Sequence, residues 1–129
     1  MNLDTPNISV QKSAEDLYAF LTNFENFEQI MPENTDKFEV KDEGFIFALK
    51  GMPTIKLKLV EKIPHTKIVL GSASEKFPFS LTANITTDLE KCKVNFSFEG
   101  KFNPMISMMV KKPLQKFIDT LSNNLEKLR

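Results

Sequence analysis

The feature that most narrows the folds open to this chain is a change of hydrophobic period near Asn103. From about residue 37 to residue 102 apolar side chains recur at alternate positions, and from Pro104 onward they recur every three or four. Successive strand residues point to opposite faces, whereas helical residues three and four apart share one. The clearest alternation is "IKLKLVEKI" (55–63), with Ile55, Leu57 and Leu59 on one face and Lys56 and Lys58 on the other. "KFEV", "FIFALK", "KIVLGSAS", "FSLTANIT" and "VNFSFEG" repeat the pattern, the fourth of these running to Thr86 and the third towards Glu75. "DEG", Gly51–Met52–Pro53, "PHT" and "DLEK" separate them as turns. Strands with one dry and one wet face belong to an antiparallel sheet covered on one side.

The cover is the last segment. Asn103 suits an N-cap and Pro104 the first helical position. Ile106, Met109, Val110, Pro113, Leu114, Phe117, Ile118, Leu121, Leu125 and Leu128 then make a broad apolar stripe. At 1.5 Å per residue this helix is roughly 35 Å long, enough to cross a whole sheet. Pro113 removes a hydrogen bond and crowds the carbonyl of Met109, at a cost of about 3 kcal/mol. A kink, or a short separate turn before the main helix, is expected there.

The N-terminal region begins with a strand, "NISVQ", with Ile8 and Val10 on one face. Ser13 is placed to cap a helix whose first turn holds Glu15 and Asp16, where the helix dipole favours acids. Ala14, Leu17, Tyr18 and Leu21 share a face, with Phe20 beside it. Asn23 is expected to cap a second short helix carrying Phe24, Phe27, Ile30 and Met31, ended by Pro32.

The chain has 129 residues, one domain's length, with no repeat or linker to divide it, and 17 basic residues balance 17 acidic ones. No net field draws it to nucleic acid or to an anionic membrane. Cys92 is the only cysteine, so an internal disulfide and a multi-cysteine metal site are excluded. No basic segment followed by an apolar run opens the sequence, and no apolar stretch approaches the roughly 18 residues a membrane span needs. A cytoplasmic protein without stable membrane insertion is expected, as a monomer or weak homodimer.

The order of these elements resembles the START-like superfamily, also called helix-grip or SRPBCC, and in particular its short bacterial-type, polyketide cyclase/dehydrase-like members. "ISVQKSAEDLYAFLTNFENFEQIMPE" (8–33) is similar to that group's opening strand and pair of short helices, and "NPMISMMVKKPLQKFIDTLSNNLEKL" (103–128) to its closing helix. The resemblance covers essentially the entire chain, over structural positions and no catalytic signature. It implies an α+β helix-grip fold: a curved antiparallel sheet of about six to seven strands wrapped round the long helix, with the two short helices supporting one end of that helix and Phe24, Phe27 and Ile30 packed against it. It further implies a cavity between sheet and helix, used by such proteins to bind lipids, sterols, polyketides or other apolar molecules. Plant pathogenesis-related allergens belong to the same group, and some of its members are enzymes.

Chemistry has to be read from the residues. His65, the only histidine, sits at a turn tip, where an exposed turn residue is expected. Cys92 lies at a turn or strand start, and its flanking lysines point to the opposite face, so nothing marks an activated thiolate. Glu61 shares phase with Ile55, Leu57 and Leu59 and is expected near an interior rim, or at the strand's solvated end. There is no phosphate-binding glycine loop and no metal-ligand spacing, so neither cofactor nor metal is expected. Twelve phenylalanines against one tyrosine and no tryptophan give an interior with bulk and few polar handles. Phe38, Phe45, Phe47, Leu57, Leu59, Leu70, Phe79, Leu81, Phe96 and Phe98 are expected to face the helix, and Met109, Leu114 and Phe117 to face them. Either they enclose a cavity or they fill it. Tyr18, Ser72 and Ser74 are the polar candidates for orienting a ligand.

The expected function is binding or carriage of a small hydrophobic, lipid-like molecule. A cyclase-type enzyme would instead require a convergent polar pair, such as Tyr18 or Glu61 with Ser72 or Ser74. A protein-interaction module would show a packed interior and an exposed methionine or phenylalanine patch, for which "MISMMVKK" (105–112) is the candidate. That segment also suits a portal, a membrane-touching lip or a dimer contact, against the plainer role of core filler.

Overall fold

A computed structural model describes residues 1–50, 52, 54–73 and 78–128. The elements run β1 (Asn2–Asp4), β2 (Ile8–Val10), α1 (Ala14–Thr22) and a 3-10 helix (Phe24–Gln29). Then come β3 (Thr35–Lys41), β4 (Gly44–Leu49), β5 (Ile55–Ile63), β6 (Lys67–Ser72), β7 (Phe79–Asp88), β8 (Lys91–Gly100) and α2 (Pro104–Glu126). The expected α+β helix-grip architecture is what the chain forms. The sheet is antiparallel and open, in the order β1-β8-β7-β6-β5-β4-β3, with β2 also on β8. Of the expected features, Gly51, Pro53 and the Ser74–Glu75 end of "KIVLGSAS" lie outside the described residues.

Among the described residues eight strands form where six or seven are expected, because "NLD" pairs with β8 ahead of the opening strand read at "NISVQ". Its one apolar residue, Leu3, is too little pattern to reveal a strand. Thr5 bridges β1 and β2 along β8: its N–H donates to the Phe96 carbonyl (2.9 Å), and its hydroxyl accepts from the Phe96 N–H (2.8 Å). A buried side chain thus stands in for the ladder.

Ser13 caps α1 as expected, its hydroxyl accepting from the Asp16 N–H at 3.1 Å. The second helix differs. Phe24, Phe27 and Ile30 are spaced by three, which lines them up on one face of a helix with three residues per turn. All three are buried, and the 3-10 geometry places them so. The Asn23 side chain makes no capping bond; Asn26 takes over the junction, donating to the Phe20 carbonyl at 3.0 Å. The Phe27 ring stacks on Phe45 of β4 at 4.8 Å, and Phe24 lies 6.0 Å from the same ring. These two rings therefore pack on the sheet. The tie to α2 is a hydrogen bond from Asn124 to the Ile30 carbonyl, 2.8 Å.

Asn103 caps α2 by accepting from the Ile106 N–H. The helix runs unbroken from Pro104 to Glu126 with Pro113 inside it, so no separate turn precedes it. The carbonyl that Pro113 deprives of a donor belongs to Met109, a residue on the solvent side. The defect therefore costs no buried polar group.

A bulge decides the outer face of β5. Leu59 stands opposite Leu70 but Glu61 stands opposite Val69, leaving Val60 unpaired. One extra residue reverses the phase. Glu61 accordingly projects from the outer face, 3.9 Å from Lys67, and does not approach the interior.

Leu89 occupies a two-residue turn at φ 59°, and is 92% exposed. A branched L-residue there is strained without compensating burial. Leu89→Gly is expected to stabilise the protein by about 0.5–1 kcal/mol, raising Tm by roughly 2–5 °C in a thermal scan. Phe27→Ala removes a stacked, buried ring and is expected to cost about 3–5 kcal/mol by urea denaturation, and Phe27→Asp to prevent folding.

Candidate functional site

The interior has two unlike halves. In the C-terminal half of α2, Ile118, Leu121 and Leu125 are fully buried, in one core cluster with Val10, Leu17, Leu21, Ile68, Val94 and Phe96. Here α1 and the 3-10 helix complete the packing. Under the N-terminal half none of the described helices plays that part, and no α2 residue before Leu114 is fully buried. A cavity of about 380 Å³ lies there, between α2 and the inner face of the sheet.

Its helix wall is Ile106, Val110, Leu114 and Phe117, one stripe at helical spacing. Its sheet wall is Phe47, Ile55, Leu57, Ser72, Phe79, Leu81 and Phe98. Met52 and Phe102 close it from the loops, and the exposed Thr54, Lys56 and Ala73 mark where it meets solvent. Phe47 and Phe117 stack at 4.9 Å and 10°, and Phe79 stacks on Phe98 at 5.2 Å. Phe102 folds back beside Phe98 because residue 100 is glycine: a Cβ there would stand 2.6 Å from the Phe102 ring.

Eight residues singled out from the sequence thus come together: Phe47, Leu57, Ser72, Phe79, Leu81, Leu114, Phe98 and Phe117. Of the other eight, the seven that are described do not line this cavity. Phe45, Leu70 and Phe96 are buried in the packed core, and Leu59 is half-buried against it. Phe38 sits at the β3 edge, beside Glu25 and Glu28 in a shallow polar cleft, its ring 5.3 Å from Phe45. Met109 is 70% exposed, on the helix face opposite to that expected of it. Tyr18 packs edge-on against His65 at 5.6 Å, at the end of β5 and β6 remote from the cavity. Ser74 lies outside the described residues. Ile55, Ile106 and Val110 carry a signal in the sequence, sharing phase with residues that were singled out. Met52 and Phe102 arrive from loops, where periodicity is silent.

Among the described residues the lining holds no carboxylate, imidazole, thiol or phenol. No three metal-ligating side chains cluster among them either. His65 is exposed, with φ 67°, at the tip of its turn. Cys92 is fully buried in β8, and burial pushes its thiol up from the ordinary range. That shift suppresses the thiolate, so the side chain acts as a small hydrophobe. Because the folded-state value is raised, its stabilising effect holds at low and neutral pH and is lost as pH rises through the thiol range. A thiol reagent such as Ellman's is expected to leave the native protein unlabelled at neutral pH and to titrate Cys92 fully in urea.

No family model matches the sequence, and neither does any curated protein. Solved structures do. Norcoclaurine synthase of Thalictrum flavum, a point mutant with a transition-state analogue, superposes with a TM-score of 0.69 at 13% identity, over 97% of this chain and 94% of that one. The di-domain ARO/CYC StfQ of the steffimycin biosynthetic pathway gives 0.73 at 12% identity, over 98% of this chain and 50% of that one. The Aha1 dimer of Colwellia psychrerythraea gives 0.64 at 17% identity, over 98% and 97%. At these identities the likeness establishes the helix-grip fold and nothing finer.

Proposed function

We propose that this protein binds or carries a small apolar, lipid-like molecule between its sheet and α2, without catalysis. The observation that carries this reading is the cavity of about 380 Å³ whose walls include Phe47, Phe79, Phe98, Phe102 and Phe117. Ligand sites usually enclose about 300–1,000 Å³ with mostly apolar walls and a few polar groups. Ser72 and Thr54 are such groups here. At about 25 cal/mol per Å², burying about 200 Å² of ligand hydrocarbon would contribute roughly 5 kcal/mol. The reading takes the protein as a cytoplasmic monomer or weak homodimer of one domain; no helix among the described residues is long and apolar enough to cross a membrane.

The fold neighbours include a synthase and a cyclase, which makes catalysis the natural rival. It draws no support from the cavity. Tyr18 is engaged with His65 at the other end of the sheet, and Glu61 faces outward to Lys67. An interaction module draws partial support: Met105, Met108 and Met109 are exposed on α2, but the interior beside them is not filled.

Native mass spectrometry of protein purified from its own host, followed by lipid extraction, tests the reading directly. Repeated recovery of empty protein, with no uptake of fluorescent fatty acids, would overturn it. Val110→Trp places an indole in the cavity from a helix face that is only half-buried. It is expected to fold normally and to weaken fatty-acid uptake at least tenfold.

A further inference from the structure

The cavity has a neighbour. On the other side of Met52 and Phe117, which line both, lies a second cleft of about 390 Å³ between α2 and the end of β4. Its floor is apolar, with Leu49, Pro113 and Phe117, while Lys50, Lys112 and Lys116 stand round it. Among the described residues no acidic side chain lines it. None of the three lysines belongs to an ion pair among the described residues, where the salt bridges involve Lys37, Lys41 and Lys67. Of the carboxylates closest in sequence, Glu33 is outside the lining and Asp119 accepts from Gln115.

The segments that supply these lysines are basic along their length. The chain is neutral overall, yet residues 100–118 hold four lysines and no acid, and residues 44–60 hold Lys50, Lys56, Lys58 and no acid. Lys112 and Lys116 are four apart on one helix, an arrangement of like charges that destabilises the helix slightly. The main chain holds the third in place: the Lys50 N–H donates to the Asn34 carbonyl at 2.8 Å, fixing the end of β4 beside the start of β3. Three lysines lining a cleft with an apolar floor, with no carboxylate among its described lining residues, suit an anion attached to hydrocarbon. Met52, unbranched and flexible, is part of the partition between this cleft and the apolar cavity.

We infer that the protein's ligand is a single-chain amphiphile, its anionic head (carboxylate or phosphate) held among Lys50, Lys112 and Lys116 and its tail in the cavity beyond Met52. The inference rests on the carrier reading and adds the chemical class of what is carried. The three lysines are exposed, so their substitution leaves the core intact.

The test compares three probes of equal chain length, decanoate, decyl phosphate and decanol, by calorimetric titration at low salt. The wild-type protein is set against a Lys50→Gln, Lys112→Gln, Lys116→Gln variant whose Tm is checked first. At least one of the anions is expected to bind the wild type tenfold or more tightly than decanol, and the stronger of the two identifies the head. In the variant that preference is expected to fall to about twofold or less with decanol affinity unchanged. Added salt is expected to weaken the anion and spare the alcohol. Decanol binding as tightly as both anions, or an anion preference that survives in the variant, overturns the inference and leaves the carrier reading standing. Failure of all three probes to bind overturns both.

Discussion

The structure depends on a run of phenylalanine contacts that joins its three layers. Phe27 of the 3-10 helix stacks on Phe45 of β4, Phe45 lies 6.0 Å from Phe47 on the same strand, and Phe47 stacks on Phe117 of α2. Rings at these separations add specific geometry to the area they bury. Phe45 and Phe47 are two apart on one strand and so share a face, which lets one strand serve as the hub. Through them the short helix, the sheet and the long helix have one mutual arrangement.

That arrangement also locates the cavity. Phe117 ends the densely packed half of α2 and begins the wall of the open half. Toward the C-terminus, α1 and the 3-10 helix close the space with Leu17, Leu21 and Phe24. Toward the N-terminus no third element arrives among the described residues, and the α2 stripe thins to Ile106 and Val110. Packed interiors tolerate few voids, so a space of this size among the described residues stands apart from the tight core beside it. The same half of the helix exposes Met105, Met108 and Met109 outward, and its lysines form no ion pair among the described residues. Pro113 falls where these two regimes meet, at a point where the carbonyl it orphans faces solvent.

The sequence showed most of this architecture because each signal is local. Alternation marked β3 to β8, the Ser13 and Asn103 caps marked both α-helix starts, and the long stripe marked α2. The misreadings have equally local causes. A three-residue strand with one apolar side chain leaves no pattern, which hid β1. A spacing of three at Phe24, Phe27 and Ile30 fits a 3-10 helix as well as an α-helix. The Val60 bulge reversed the facing of Glu61, since periodicity carries across a bulge as if the strand were regular. For the cavity, facing inward proved necessary and not sufficient. Phe45, Leu70 and Phe96 face inward and are packed, while Phe47, Leu81 and Phe98 face inward and line the space.

By itself, then, the sequence determined the order of elements, which face of each is apolar, and an interior furnished with phenylalanine and almost no ionisable group. These are properties of residue type and spacing along the chain. Only the tertiary structure decided which inward side chains meet a neighbour and which meet a void. It alone brought Met52 and Phe102 to the cavity from loops, and Lys50 across to Lys112 and Lys116. Such meetings depend on where α1 and the 3-10 helix stop covering the sheet, and no period in the chain encodes that.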